Sequence, residues 1–225
     1  MTEKEYYAVL SASPLFAGLD RKETDEAVGR MEGRVSSYRK GDFLHTPGTP
    51  FSAFGLVLYG SVHACADDVN GNRLIMAEVG AGNTFGEALC FLSVPEPPVY
   101  VTAASDAGVL WLSPAPLRSG STDGTAAGMQ KRFAAVLAAR TLKMNERIQI
   151  LSKRTIREKL TVYFSGLTRG LASGPEGVAF TVPLSREDMA AYIGTDRSAL
   201  SRELSAMKRE GLIDYRKNAF LLKKR

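Results

Sequence analysis

The sequence predicts an α+β chain: an N-terminal antiparallel, double-stranded β-roll, a long helix, and a C-terminal winged helix-turn-helix. Three observations carry this. Between residues 34 and 113, short apolar runs are separated by turn residues at regular spacing. An unbroken helical pattern then runs from about Thr125 to Ser152. Beyond Leu184, two short amphipathic patterns meet at Gly194 and are followed by a basic hairpin.

The bulk properties fit that architecture. A chain of 225 residues is long for one domain and suits two. Apolar residues make up 44% and charged residues 24%, the balance of an ordinary globular protein. No apolar run approaches the roughly 20 residues that span a bilayer, so no membrane partner is expected. The charged start, Met1-Thr2-Glu3-Lys4-Glu5, has no apolar core behind it, which points to the cytoplasm. Cys65 and Cys90 are too few for a disulfide framework and too far apart for a Cys-x-x-Cys motif.

The net charge of +5 conceals a division. Residues 1–130 carry nine Lys and Arg against 15 Asp and Glu, a net −6, while residues 131–225 carry 20 against nine, a net +11. An acidic first part and a strongly basic second part is the pattern of a protein whose second part meets a polyanion.

Along the chain, residues 3–33 read as helical with a break at Ser13-Pro14. The roll follows, punctuated by Lys40-Gly41-Asp42, Pro47-Gly48-Thr49-Pro50, Tyr59-Gly60-Ser61, Asn70-Gly71 and Gly80-Ala81-Gly82-Asn83. Asn-Gly is a strong hairpin signal because both central residues of a type I′ turn take positive φ. Ser113 to Gly124 reads as a loop rich in Pro, Ser and Gly. In the long helix, Phe133, Leu137, Met144, Ile148 and Leu151 form a stripe, with Arg140 in one of its positions. Pairing with a second copy would cover that stripe, as would packing on the chain's own roll, and dimerisation is the favoured expectation. Arg154 to Gly170 reads as a further helix and Val178 to Leu184 as extended. The expected domains are residues 1–124, the helix 125–152, and residues 153–225.

The C-terminal pattern is the most informative. Ser185 begins a Ser-x-x-acid cap with Asp188, and the helix behind it buries Met189, Ala190 and Ile193. Gly194 provides the tight turn, and Thr195 or Asp196 caps the next helix. That second helix buries Leu200, Leu204 and Met207. Arg197, Ser198, Ser201, Arg202 and Ser205 share its other face, which has two arginines, three hydroxyls and no carboxylate. Arginine forks onto guanine O6 and N7, and serine lets a helix sit deep in the major groove, so Arg197, Ser198, Ser201 and Arg202 are expected to read bases. Leu212 to Leu222 forms a hairpin with a basic tip, a wing. Lys208, Arg209, Arg216 and Lys217, with Arg186 and Thr195, are expected at phosphates, which position a protein without specifying sequence.

This order of parts resembles the bacterial family of the cyclic-AMP receptor protein and FNR, over roughly residues 10–222. The most specific stretch is Leu184 to Ile213, ending Arg202-Glu203-Leu204-Ser205-Ala206-Met207-Lys208-Arg209-Glu210-Gly211-Leu212-Ile213. The resemblance implies a transcription regulator, not an enzyme, in which the positions of Arg197, Ser198 and Arg202 read bases. Ser198 stands where many members have glutamate, so the target sequence is expected to differ from theirs.

Gly82-Asn83-Thr84-Phe85-Gly86-Glu87-Ala88-Leu89 is similar to the family's effector-pocket loop. Members that bind cyclic nucleotides carry an Arg followed by Ser or Thr about ten residues later, and here those positions are Pro97 and Pro98. Proline offers no charge and no amide donor. Between residues 41 and 130 only Arg73 and Arg118 are basic, and a partly buried phosphate needs a paired cation. A cyclic nucleotide is therefore disfavoured. The expected effector is an unidentified small molecule near Phe85, Gly86, Glu87, Ala88, Pro97, Pro98 and Tyr100, with Glu87 equally readable as a turn cap.

The resemblance further implies a homodimer on a roughly palindromic double-stranded site, with RNA polymerase as a partner if the regulator activates. An effector-independent or thiol-sensing regulator is the alternative. No resident cofactor is expected. The iron–sulfur members' N-terminal cysteine cluster is absent. Two histidines, His45 and His63, are too few to build a metal-dependent β-barrel enzyme. No Gly-x-Ser-x-Gly or Gly-x-x-x-x-Gly-Lys motif is present.

Overall fold

The computed structural model describes residues 1–69, 71, 73–118 and 124–224, with backbone alone at 124–126. Residue contacts divide the chain into two compact units, Met1–Thr141 and Leu142–Arg225. The expected α+β architecture is present in full.

The first unit opens with helices α1 (Glu3–Ala12) and α2 (Arg21–Arg30). Each begins with a reciprocal cap, Thr2 with Glu5 and Asp20 with Glu23, which satisfies amides a helix start leaves free. Strands β1 (Arg34–Tyr38), β2 (Phe43–His45), β3 (Phe54–Tyr59), β4 (Ser61–Asp67), β5 (Arg73–Gly80), β6 (Thr84–Phe85), β7 (Tyr100–Ala103) and β8 (Ala107–Leu112) form two four-stranded sheets. Their orders are β1-β8-β3-β6 and β2-β7-β4-β5, all antiparallel. Residues Phe54 to Leu58 of β3 are buried without alternation, because this strand lies between β8 and β6 and is covered on both faces. The short helices α3 (Glu87–Phe91) and α4 (Ala115–Arg118) complete the roll. Helix α4 lies in the stretch expected to be a loop. The rest of that loop, residues 119–123, and the Asn70 half of the Asn-Gly turn lie outside the described residues. Gly71 does take the left-handed φ of +77° that such a turn needs.

Helix α5 (Gly124–Leu151) begins in the first unit and ends in the second. Its Met129, Phe133 and Val136 join the core of the roll, Phe133 with its ring 5.7 Å from Phe54 and 5.4 Å from Phe91. Leu137 packs against the same core. The expected stripe is therefore divided. Phe133 and Leu137 are occupied by the chain's own roll, because aromatic and aliphatic residues there find Phe54 and Phe91 within reach. Met144, Ile148 and Leu151 remain 56, 60 and 37% exposed.

The second unit holds the last turns of α5, then α6 (Ile156–Thr168), β9 (Gly177–Thr181), α7 (Arg186–Ile193), α8 (Arg197–Arg209), β10 (Ile213–Arg216) and β11 (Ala219–Lys223). Strand β9 stops at Thr181, short of the expected Leu184. The sheet order is β10-β11-β9, antiparallel throughout. Phe164 stacks centrally, 5.2 Å from Phe180 and 5.1 Å from Phe220, beside Leu160, Met189, Ile193, Leu200, Leu204 and Met207. Each such side chain contributes about 1.5–3 kcal/mol on burial. This core fixes which face of α8 is turned outward.

Candidate nucleic-acid interface and roll loop

Local chemistry builds the helix-turn-helix. Ser185 Oγ accepts from the Asp188 amide at 3.1 Å, and Gly194 closes α7 in the left-handed region at φ +66°. A Cβ there would be strained and would meet Leu151 at 3.3 Å. The carbonyl of Gly194 accepts from Lys159 Nζ at 3.2 Å, and the carbonyl of Tyr192 accepts from Arg147 Nη1. Arg147 is buried, and its guanidinium lies 4.0 Å from the Tyr192 ring centre. Burial lowers its pKa against these favourable partners.

Asp196, not Thr195, caps α8: its carboxylate accepts from the Ala199 amide at 2.7 Å and from Ser198 Oγ at 2.6 Å. Those bonds, Ser198 first, hold its pKa below the usual carboxylate range. Ser198 Oγ in turn accepts from Arg202 Nη1 at 3.2 Å. Ser201 and Ser205 donate to the carbonyls of Arg197 and Ser201, each at 2.9 Å, so their hydroxyls lie against the helix and present oxygen outward. Arg197, Ser198, Ser201, Arg202 and Ser205 are all exposed. The structure brings the four expected base readers together on one face.

That face continues into an open groove of about 840 Å³ lined by Ser201, Arg202, Ser205, Lys208, Arg209 and Tyr215. Tyr215 was not singled out by sequence; its place in β10, beside Lys208, brings it there. Lys208 pairs with Asp214 at 2.6 Å, which raises the lysine pKa and lowers that of the carboxylate. Both partners are half exposed.

The expected phosphate residues divide. Arg209, Arg216 and Lys217 are exposed, and Thr195 is partly so. Lys217 takes φ +53° at the wing tip. Arg186 differs. Its Nη2 donates to the Lys217 carbonyl at 2.6 Å, and its guanidinium packs over Tyr215 at 5.1 Å and Phe220 at 4.8 Å. Arg186 is thus a brace for the wing rather than a freely projecting cation, since two aromatic faces and a carbonyl hold it.

α8 itself carries Glu203, and Glu210 follows its last turn. Both are drawn to Arg157 of α6: Nε lies 2.5 Å from Glu203, and Nη1 and Nη2 lie 2.7 Å from the two oxygens of Glu210. Arg157 holds the Glu210 carboxyl below its ordinary pKa. No spacing rule ties residue 157 to residues 46 and 53 places on; only the fold joins them.

In the roll loop the polar groups turn inward. Phe85 is fully buried, edge-on to Trp111 at 5.3 Å and packed against Gly55, where a Cβ would overlap its ring. Gly86 takes φ +79° and lies so close to Phe51 that a Cβ would approach that ring to 2.8 Å. Glu87 is buried and accepts from the Thr84 hydroxyl. Ala88 and Pro98 are exposed and Pro97 is buried. Tyr100 donates to Asp67 at 2.8 Å, and burial followed by that bond pushes its pKa up. Arg118 donates to Ser93 at 2.6 Å, and Arg73 lies opposite Asp67 in the β4–β5 ladder. Cys65 and Cys90 are buried and free of disulfide, and burial pushes Cys90 up to about 11. His45 stacks on Phe51 at 3.5 Å, with Nε2 2.9 Å from the Thr49 carbonyl; burial lowers its pKa. Among the described residues no cluster of three His, Cys, Asp or Glu could hold a metal, and no helix is long and apolar enough to cross a membrane.

A helix-turn-helix with an exposed cationic face, carried by a chain that also holds a nucleotide-type β-roll, defines a DNA-binding transcription regulator. Comparison with known proteins agrees. Residues 158–225 match the Crp-like helix-turn-helix domain and residues 35–119 the cyclic nucleotide-binding domain. The chain belongs to the Crp/Fnr family of transcription regulators, which are not enzymes. It is 26% identical over 210 residues to the cyclic AMP receptor protein of Thermus thermophilus, covering 91% of this chain and 89% of that one. It is 37% identical over 71 residues to the transcriptional activator protein FnrL of Cereibacter sphaeroides, 28% of each chain. In fold it is similar to the c-di-GMP responsive regulator CLP of Xanthomonas campestris, with TM-score 0.73, 19% identity and coverage of 92% of this chain and 100% of that chain. FixK2 of Bradyrhizobium japonicum gives TM-score 0.67 at 22% identity, covering 86% and 93%.

Proposed function

We propose that the chain is a homodimeric, sequence-specific regulator that places α8 in the major groove of a roughly palindromic site. Arg197, Ser198, Ser201 and Arg202 read bases there. Arg209, Arg216, Lys217, Thr195 and Lys208 contact phosphates. Residues 1–124 form the effector domain, 125–152 the dimerising helix and 153–225 the DNA-binding domain, working in the cytoplasm.

The observation that carries this reading is the outer face of α8, where arginines and serines are exposed while Glu203, and Glu210 just past the helix, bond to Arg157 and Asp196 is held in the N-cap. An ordinary solvated helix face mixes both signs of charge. Exposed Met144, Ile148 and Leu151 support pairing of α5 with a second copy. The test is binding of a duplex selected from a random pool by the wild-type chain. Arg202→Ala is expected to lose about 1–3 kcal/mol per bidentate contact. The logarithm of affinity is expected to fall linearly with the logarithm of salt concentration. Wild-type affinity in Arg202→Ala, or affinity flat in salt, would overturn the assignment.

The effector is a small molecule other than a cyclic nucleotide. Pro97 and Pro98 support this, together with Arg118 engaged by Ser93 and Arg73 opposite Asp67. A thiol sensor is disfavoured, since both cysteines are buried and Cys90 stays protonated at neutral pH. Native mass spectrometry of the purified protein reads subunit number and any retained ligand together. A retained cyclic nucleotide would overturn the effector reading, and a monomer at micromolar concentration the dimer.

A further inference from the structure

One guanidinium joins α6 to two points of α8. Arg157 lies in the first turn of α6, where the helix dipole opposes a cation, so helix stability does not account for its placement. It commits three donors in one plane, Nε to Glu203 and the Nη1–Nη2 pair to Glu210. Glu203 and Glu210 are seven residues apart, about 10 Å along the axis at 1.5 Å per residue, and lie on one side of α8. A bond near the middle of the helix and a fork at its end oppose both rotation of α8 about its axis and sliding along α6.

The side chains of Arg157, Glu203 and Glu210 are 40, 24 and 47% exposed, and ion pairs this wet add little to stability. Their effect falls on geometry and charge. Glu203 directly follows Arg202, and Glu210 directly follows Arg209. Released carboxylates at those places would lie among the cations that face a polyanion. Rotation of α8 would turn Arg197 and Arg202 away from their bases while leaving a basic surface in place.

We infer that Arg157 is a positioning residue for sequence readout, setting the rotation of α8 and drawing its two carboxylates away from DNA. The inference rests on α8 being the reading helix. Its signature is a loss of selectivity beyond any general loss of binding.

The experiment compares the full chain on two duplexes of equal length, one selected from a random pool by the wild-type protein and one scrambled. Arg157→Met is expected to lower the ratio of the two affinities about tenfold, the size of one lost base contact. Its affinity for the scrambled duplex should fall by less than its affinity for the selected one, because the released Glu203 and Glu210 repel both duplexes alike, and its melting temperature should stay within about 5 °C of wild type. Glu203→Gln with Glu210→Gln keeps side-chain size and removes the ionic clamp. It should raise affinity for the scrambled duplex while lowering the ratio, and it carries the test if Arg157→Met does not fold. Wild-type selectivity in either folded variant, or equal weakening on both duplexes, overturns the inference. Arg202→Ala is the control: if it also keeps wild-type selectivity, the reading of α8 itself is at fault.

Discussion

The outer face of α8 and the stretch from Gly82 to Tyr100 are the most motif-like segments of their units, yet their polar groups point opposite ways. On α8, Arg197, Ser198, Ser201 and Arg202 face solvent over a sealed core of Leu200, Leu204 and Met207. In the roll, Glu87 is bonded to Thr84, Tyr100 to Asp67 and Arg118 to Ser93. A surface that meets a polyanion must present cations outward, and Arg197, Arg202 and Arg209 are exposed here while Glu203 and Glu210 bond to Arg157. In the roll the buried Glu87 and Tyr100 are each bonded within the fold, to Thr84 and Asp67.

The largest expected effect separates the two units. Phe164→Ala removes the ring between Phe180 and Phe220 and should cost about 3–5 kcal/mol. A domain is typically stable by about 5–15 kcal/mol, so the second unit should be largely unfolded near its former melting range. The chain's single tryptophan, Trp111, is in the first unit, held by Tyr38 at 3.0 Å. Its emission should therefore keep the wild-type melting curve while DNA binding is lost. A coincident shift in Trp111 emission would break the comparison, because it would make the units one cooperative body.

Next in size is a change of specificity. Ser198→Glu places at this position the residue many family members carry, an acceptor for cytosine N4. Selection from a random duplex pool should return a site altered at the contacted base pair, with a preference of about 1–3 kcal/mol for the new base. The same variant loses the Ser198 bond to Asp196 and sets a second carboxylate beside it, so part of the cost is local. An unchanged selected site would remove Ser198 from the reading face.

What was legible in the sequence was local. Ser185 with Asp188, Gly194, and the buried Leu200, Leu204 and Met207 are three or four residues from their partners, the range over which a helix sets its own geometry. The charge division and the proline pair at Pro97 and Pro98 were equally plain. What could not be read depended on chain returning through space. Arg157 reaches Glu203 across 46 residues, and Arg186, expected at a phosphate, bonds the Lys217 carbonyl across 31. The stripe pattern alone leaves Phe133 between a second copy and the chain's own roll, and only the fold brings Phe54 and Phe91 to it. Glu87 is the exception, since its partner Thr84 is only three residues away.

A smaller effect tests the cap of α8. Asp196→Ala leaves the Ala199 amide without its acceptor and should destabilise the second unit by about 1 kcal/mol. Because Ser198 and through it Arg202 are tied to the same carboxylate, DNA selectivity should fall as well. Asp196→Asn, which keeps a capping oxygen, should recover most of the stability in a thermal melt. Equal losses in both variants would show that charge, rather than the cap bond, carries the effect.

The smallest effect is the acid response, and it again distinguishes the units. In residues 142–225 the carboxyls of Glu158, Asp196, Glu210 and Asp214 are held below their ordinary range by hydrogen bonds from Thr155, Ser198, Arg157 and Lys208 respectively; residues 1–141 contribute Glu5, held by Thr2. A carboxyl with a lowered folded pKa binds fewer protons folded than unfolded. Its stabilisation is complete above the unfolded value, about 3.9 for Asp and 4.3 for Glu, and is lost as pH falls through the folded value. Acidification from about pH 4.5 downward should therefore weaken the second unit more than the first. These groups are exposed or, at Asp214 and Glu210, about half exposed, so added salt should shrink the difference. Thermal melts by far-ultraviolet dichroism and by Trp111 emission, taken at a series of pH values, separate the two. The dichroism midpoint should fall faster with acid than the Trp111 midpoint, and the gap should close at high salt. If Trp111 leads instead, acid weakens the first unit more than the second, and the exposed caps and pairs of α6 and α8 do not govern the acid response.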